Sequence, residues 1–320
     1  MDRIKLNIEL YQKAYLVRKS EDTIRKHYME DEMKTPVHLS VGEEAITSGV
    51  IQTIRKEDLI FGTYRNHGIY LARTGETDIF YGELYGKVIG MAKGKAGSMH
   101  MFSPESNFLG ASAIVATCIP VSVGAAFANK YKNEKKLVFT FFGDGAMEEG
   151  AFWESINFAG LKKLPIIFIC EDNGLAIHSL INDRQAFKEI TEIVEKFGFN
   201  VYKSDSTDPE EIYNITIQAI KDYKQNKKPC FLHFKYYRYL EHVGINEDFK
   251  FNYRSEEEYK KWLKRDPVDL QRKKLLDLGL KEGEIKKIEE KIDKQIKISI
   301  KRAKEAPFPK NEEALCDVLA

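Results

Sequence analysis

No stretch of the 320 residues approaches the roughly 18 consecutive apolar residues that a membrane-spanning helix needs. The first ten, MDRIKLNIEL, lack the apolar core of a signal peptide. Cysteine is scarce: Cys118, Cys170, Cys230 and Cys316 show no C-x-x-C spacing, which argues against a zinc knuckle and a disulfide framework. Neither sign of charge dominates, with 50 Lys and Arg against 49 Asp and Glu and a net formal charge of +1. No global basic field exists to hold a nucleic acid. What remains is a chain with 43% hydrophobic and 31% charged residues and a mean hydropathy of −0.42. Such a chain can bury a sizeable core, and at about 150 residues per domain it makes one large or two modest domains. A soluble, cytoplasmic protein is expected.

The common phosphate fingerprints are missing too. Gly82-Glu83-Leu84-Tyr85-Gly86-Lys87-Val88 and the segment from Gly90 to Ala96 place three residues, not four, before Gly-Lys and lack the Ser/Thr of a P-loop. Gly143-Asp144-Gly145-Ala146-Met147-Glu148 lacks the third glycine of a dinucleotide fingerprint. An acid between those glycines would also repel a pyrophosphate unless a metal intervened.

Leu6, Ile8, Leu10, Tyr11, Ala14 and Tyr15 recur at near-helical spacing among charged residues. A second helix is expected to open on a capping box of Ser40 and Glu43, before Ala45, Ile46, Val50 and Ile51. The apolar runs Leu137-Val138-Phe139-Thr140-Phe141-Phe142 and Leu164-Pro165-Ile166-Ile167-Phe168-Ile169-Cys170 end abruptly in polar residues. Phe152, Ile156, Ala159 and Leu161 suggest an amphipathic helix between them. Strand, helix and strand within about thirty residues make a βαβ unit with parallel strands buried on both faces. Further strands are expected at 199–203 and 230–234, with a helix over 209–223 between them. The fold class is therefore α/β, a doubly wound, mainly parallel sheet with helical N- and C-terminal extensions. After Pro267 the composition shifts to Lys, Glu, Leu and Ile, and Ile285, Ile288, Ile292, Ile296 and Ile300 stripe a long charged helix. Residues 1–266 are taken as the α/β domain with its N-terminal helices, and 267–320 as a helical extension packed on it.

The segment from Gly143 to Asn173 carries the chemistry. Ligands of open parallel sheets bind beyond the carboxyl ends of the strands, where Asp144 and Asn173 fall on adjacent strands. A carboxylate oxygen and an amide oxygen suit Mg²⁺, which takes its other ligands from water or substrate phosphates. Gly143 and Gly145 let the backbone approach a phosphate, and the following helix turns its positive N-terminus there. Glu148 and Glu149 read as first-turn acids of that helix. Residue chemistry alone points to a metal-bridged diphosphate.

A GDG, a helix, and a strand ending in Asn some thirty residues on resemble the thiamine diphosphate motif. The likeness is greatest to the α subunit of heterotetrameric 2-oxo acid dehydrogenase E1 components, the pyruvate and acetoin dehydrogenase group. Gly143-Asp144-Gly145-Ala146, Gly150, Phe152-Trp153-Glu154, Asn157, Ala159 and Leu164-Pro165 follow its pattern. So do Val37-His38-Leu39-Ser40-Val41-Gly42-Glu43-Glu44-Ala45, Tyr64-Arg65-Asn66-His67-Gly68, Gly94-Lys95-Ala96-Gly97-Ser98-Met99-His100-Met101, and Tyr237-Arg238-Tyr239. The resemblance runs through Tyr253-Arg254-Ser255-Glu256-Glu257 to Asp266-Pro267, nearly the whole chain.

The resemblance implies that Asp144, Asn173 and the backbone carbonyl of Leu175 hold Mg²⁺. It puts Gly145 and Ala146 beside the diphosphate, with Tyr64 and Arg65 reaching it, Arg65 in a two-pronged contact. Ala113 and Val115 lie where the family's Gly-Ile-Val segment holds the aminopyrimidine. His242 matches the histidine near the thiazolium, and His38 a second histidine near the substrate. Each has a plainer competing reading: a helix cap for Asp144, an interface ion pair for Arg65, a core histidine for His38 or His242. His67 and His100 read as structural.

Three departures stand out. Leu240-Glu241-His242-Val243 replaces the family's His-Gly-His-Ser, Glu171-Asp172-Asn173 replaces Glu-Asn-Asn, and Ala113-Ile114-Val115 replaces Gly-Ile-Val. The implied reaction is decarboxylation of a small 2-oxo acid (or cleavage of acetoin) and acyl transfer to a lipoyl group on E2. The implied assembly is α₂β₂, because the glutamate that activates the aminopyrimidine comes from the β subunit and no residue of this chain has a claim to that role. Two alternatives are a carboligase passing the unit to a small carbonyl acceptor without E2, which the altered histidine segment motivates, and a non-catalytic scaffold subunit.

Overall fold

The computed structural model describes residues 2–251 and 253–316. Helices α1 (Arg3–His27) and α2 (Glu44–Ile51) precede β1 (Leu59–Thr63), and α3 (His67–Thr74) and α4 (Thr77–Leu84) separate it from β2 (Phe108–Ser112). Then α5 (Cys118–Tyr131) leads to β3 (Val138–Gly143), and α6 (Gly150–Lys162) to β4 (Ile166–Asp172). A small hairpin, β5 (Leu175–Ala176) with β6 (Ser179–Leu180), is followed by α7 (Ile181–Arg184), α8 (Ile190–Lys196), β7 (Asn200–Ser204), α9 (Pro209–Asn226) and β8 (Cys230–Lys235). Three helices follow: α10 (Glu256–Leu263), α11 (Pro267–Asp277) and α12 (Glu282–Glu305).

The six long strands form one sheet in the order β2-β1-β3-β4-β8-β7, every pair parallel. This is the doubly wound α/β architecture expected. The central strands are apolar along most of their length because both faces are covered, and β4 turns polar at its carboxyl end in Glu171 and Asp172. Successive side chains go to opposite faces: Phe139, Phe141, Ile167, Ile169, Leu232 and Phe234 join a core with the N-terminal helices and α12. Val138, Phe142, Ile166, Phe168, Cys170 and Phe231 join a second core with α5, α6 and α8.

Local chemistry sets the helix ends. Asp266 accepts from the N–H groups of Val268 (2.9 Å) and Asp269 (3.2 Å), and Pro267 stands in the first turn, where no N–H is needed. The isoleucine stripe of α12 buries Ile285, Ile292, Ile296 and Ile300, with Ile288 packed at its edge. Two local expectations fail. The capping box does not form, because Ser40 Oγ accepts from Gly68 N–H across to α3 and the Glu43 side chain makes no cap bond. Leu161 is 71% exposed on α6, since only Phe152, Ile156 and Ala159 of that pattern face the sheet. No helix among the described residues is long and apolar enough to cross a membrane.

Candidate metal and diphosphate site at the strand ends

From β1 the chain turns to one side of the sheet, and from β3 onward to the other. The crevice of such a sheet opens where the winding reverses, between the ends of β1 and β3. Tyr64 and Arg65 leave β1 there, Asp144 leaves β3, and Asn173 leaves the adjacent β4. All four line one cavity of about 260 Å³, together with Val115, Gly145, Ala146, Leu175 and His242.

Asp144 is 1% exposed. Its Oδ2 accepts from Arg184 Nη2 at 2.6 Å, while its Oδ1 is buried with no partner among the described residues. Burial, and then the charge of Asp172, raises its pKa to about 7 despite that arginine. Asn173 Oδ1 accepts from Leu175 N–H at 3.1 Å, and its Nδ2 donates to Tyr236 OH at 3.1 Å. A Cβ on Gly145 would meet Ala176 Cβ at 3.0 Å, so the hairpin packs directly on the turn. No three His, Cys, Asp or Glu side chains among the described residues form a metal cage. A carboxylate oxygen without a partner among the described residues, lining the same cavity as an amide oxygen, nevertheless fits Mg²⁺, which is held by one or two carboxylates and completed by phosphate or water.

Arg65 is buried, with Nη1 donating to Leu39 O at 2.5 Å and Nη2 to His242 O at 3.2 Å. A guanidinium has five N–H groups, so donors are left for an anion. The rings of His38, Tyr64 and His242 cluster, with centroids 4.6, 5.1 and 5.6 Å apart. His38 does not line the cavity but lies behind Tyr64 and His242, held near by the Gly244 N–H to Val37 O bond (2.9 Å). Burial, then the charge of Arg65, lowers both histidines to about 3. Both are neutral near pH 7. Arg238 Nη1 lies 3.4 Å from His242 Nδ1, and arginine cannot accept, so His242 Nδ1 accepts and its proton sits on Nε2. Arg238 is anchored in turn on Asp248 at 3.0 Å.

A family model described as dehydrogenase E1 component matches residues 12–312. The chain belongs to that family. It is 32% identical over 312 residues to the pyruvate dehydrogenase E1 component subunit alpha of Rickettsia felis, covering 97% of this chain and 95% of the relative. The Zymomonas mobilis subunit alpha is 34% identical over 314 residues, covering 98% and 88%. The chloroplastic subunit alpha-3 of Arabidopsis thaliana is 34% identical over 320 residues, covering 98% and 74%. This is an E1 chain of the alpha type, from the thiamine diphosphate-dependent 2-oxo acid dehydrogenases, as the resemblance implied.

The E1 cavity also contains groups that sequence reasoning missed. Among the described residues, neither carboxylate oxygen of the buried Glu43 has a hydrogen-bond partner, nor does Glu171 Oε1. Burial drives both upward, Glu43 to about 8, with Glu21 adding to the rise of Glu43 and Glu43 to that of Glu171, while Arg65 opposes both. Glu148 sits in a 3-10 turn (Asp144–Glu148) and Glu149 caps α6, so neither is in the first turn of that helix. Both line the cavity, and Glu148 pairs with Arg184. No sequence signal marked Arg184, 40 residues beyond Asp144. The turn also keeps the N-terminus of α6 one step farther from Asp144 than expected. Of the Ala113-Ile114-Val115 segment, Val115 lines the cavity and Ala113 does not. The added charge of Asp172 is accommodated: burial pushes its pKa up, but His233 Nε2 at 2.7 Å and Gly174 N–H at 2.8 Å outweigh that and hold it down. His67 is buried against Ser98 Oγ (2.7 Å) and Glu21 (3.1 Å), and His100 Nδ1 lies 3.3 Å from Ala111 O.

Proposed function

We propose that this chain is the α subunit of an E1 enzyme that uses thiamine diphosphate and Mg²⁺ to decarboxylate a small, pyruvate-like 2-oxo acid and delivers the acyl group to a lipoyl-bearing E2. The carrying observation is the buried Oδ1 of Asp144, unpartnered among the described residues, in one cavity with Asn173 and Arg65. In this reading Asp144, Asn173 and the carbonyl of Leu175 hold the metal. Tyr64 and Arg65, with the backbone of Gly145 and Ala146, hold the diphosphate, and the 113–115 segment borders the aminopyrimidine. Thiamine diphosphate, when bound, supplies the carbanion and the electron sink that loss of CO₂ requires. The chain's own contribution is orientation and a fixed proton. His242 offers a neutral Nε2–H donor to the reacting group, and His38 holds the His242 and Tyr64 rings from behind. The likeness to subunits named alpha supports a β partner, which would supply the acid that activates the aminopyrimidine.

The test is CO₂ release from pyruvate, measured for the chain alone and with its β partner, each with thiamine diphosphate and Mg²⁺. Turnover only with the partner, coupled to acylation of added lipoyl-E2, is the expected result. Full turnover by the chain alone would overturn the half-site reading. Turnover with the partner that proceeds to a small carbonyl acceptor but never to lipoyl-E2 would replace the dehydrogenase reading with a carboligase.

A further inference from the structure

A cavity of about 390 Å³ lies between α1, α3 and α12, separate from the strand-end site. Its floor is apolar, built on Leu71 of α3 and Ile292 of α12. Its walls carry four cations from three helices: Lys13, Arg73, and the pair Lys287 and Lys291 one turn apart on α12. The lone acid of the lining, Glu9, accepts from Gln52 Nε2 at 2.6 Å and offsets only part of this positive charge. Arg73 donates to the backbone carbonyls of Ser106, Ile54, Arg55 and Lys56, at 2.9 to 3.2 Å, and to no carboxylate among the described residues.

Lys13, Lys287 and Lys291 have no hydrogen-bond or ion-pair partner among the described residues. That is unusual in this molecule for a half-buried ammonium such as Lys13. Lys274, comparably placed, is paired with both Asp208 and Glu210, and Arg18 with both Glu44 and Asp266. Burial lowers the pKa of Lys13, and Arg73 adds to that against the partial relief of Glu9. Like charges gathered around an apolar hollow repel one another, and an anion placed among them removes that repulsion while the floor takes up an apolar body.

We propose that this cavity binds a small organic anion, with an apolar body on the Leu71–Ile292 floor and a phosphate or carboxylate head between Lys13, Lys287 and Lys291. Neither source of that head group, a phosphate ester or a carboxylic acid, depends on the reaction at the strand ends.

The experiment is calorimetric titration of phenyl phosphate, benzoate, inorganic phosphate and benzyl alcohol into the full chain. Saturating thiamine diphosphate and Mg²⁺ are present, so that any diphosphate site is already taken. One molecule of phenyl phosphate or benzoate per chain is expected, about tenfold or more tighter than benzyl alcohol and inorganic phosphate. The tighter of the two names the head group. Lys13→Met, which keeps the apolar stem, is expected to weaken that binding about tenfold without lowering the melting temperature. The double variant Lys287→Met with Lys291→Met, at two exposed positions, should do the same. Equal affinity for benzyl alcohol, inorganic phosphate as tight as the aryl anions, affinities unchanged in both variants, or no heat up to about 10 mM would each overturn the proposal.

Discussion

The two cavities carry opposite errors of charge. At the strand ends five acids (Glu43, Asp144, Glu148, Glu149 and Glu171) share the lining with one arginine, Arg65. Between α1, α3 and α12, four cations share it with one acid, which offsets only part of their charge. A single short helix joins the two regions, since α3 begins two residues after Arg65 and carries Arg73 near its other end. A chain with a net charge of +1 has thus placed excess acid in one hollow and excess base in another. An acid or an ammonium that lacks a counter-charge is costly to hold ionised away from water, so each hollow specifies its guest by what it lacks. The acid-rich one attracts a cation first, and a diphosphate only behind that cation.

The sharpest way to break this comparison is Asp144→Ala. It deletes a carboxyl that burial already disfavours in its charged form and leaves Arg184 paired with Glu148, so the fold should lose little, while Mg²⁺-dependent binding of thiamine diphosphate should weaken by more than about 100-fold. Calorimetry with and without Mg²⁺, alongside far-UV circular dichroism, checks both halves. Unchanged affinity would mean that the excess acid serves some other purpose. A step down in consequence is His242→Ala, for which cofactor affinity should hold and turnover should fall roughly 10²- to 10⁴-fold. With its pKa lowered to about 3 by burial and Arg65, His242 stays neutral from pH 5 to 8. The wild-type kcat profile should therefore show no limb near 6.5 from this residue. Such a limb, vanishing in the variant, would show that the ring titrates in the working enzyme.

The acid-rich hollow was partly legible in the sequence and the basic one was not, for a physical reason. Asp144 and Asn173 sit at the ends of two apolar runs, and parallel strands buried on both faces put such ends side by side. Glu43 was misread because Ser40 and Glu43 have capping-box spacing. In the fold Ser40 serves α3 instead, leaving Glu43 free to line the cavity. Arg184 arrives from a short helix with no periodic pattern, and only the hairpin packed against Gly145 puts it on Asp144. Lys13, Arg73 and Lys291 come from helices 60 and 218 residues apart along the chain, where each reads as an ordinary solvated charge. Their convergence is a product of helix packing, which periodicity predicts only as a buried stripe. At the Leu240-Glu241-His242-Val243 departure, Glu241 closes its loop by accepting from Asn246 N–H at 2.8 Å, and His242 lines the cavity.

The smallest effect distinguishes the two hollows by the sign of a pH slope. Burial raises Glu43 to about 8 from an unfolded value near 4.5, so the folded state holds a proton that the unfolded state has released. Its stability contribution is complete below about pH 4.5 and is lost as pH rises through 8, a change on the order of 3 kcal/mol between pH 5 and pH 8. Lys13 is lowered instead. The folded state then binds a proton less readily than the unfolded one, so this site costs stability at neutral pH and the cost fades as pH climbs toward the unfolded lysine value near 10.5. Glu43→Gln should accordingly flatten a fall in urea midpoint between pH 5 and 8. Lys13→Met should raise the midpoint slightly at pH 7, with the gain vanishing above pH 10. Slopes of the same sign in both variants would show that one hollow already holds its counter-charge within the chain.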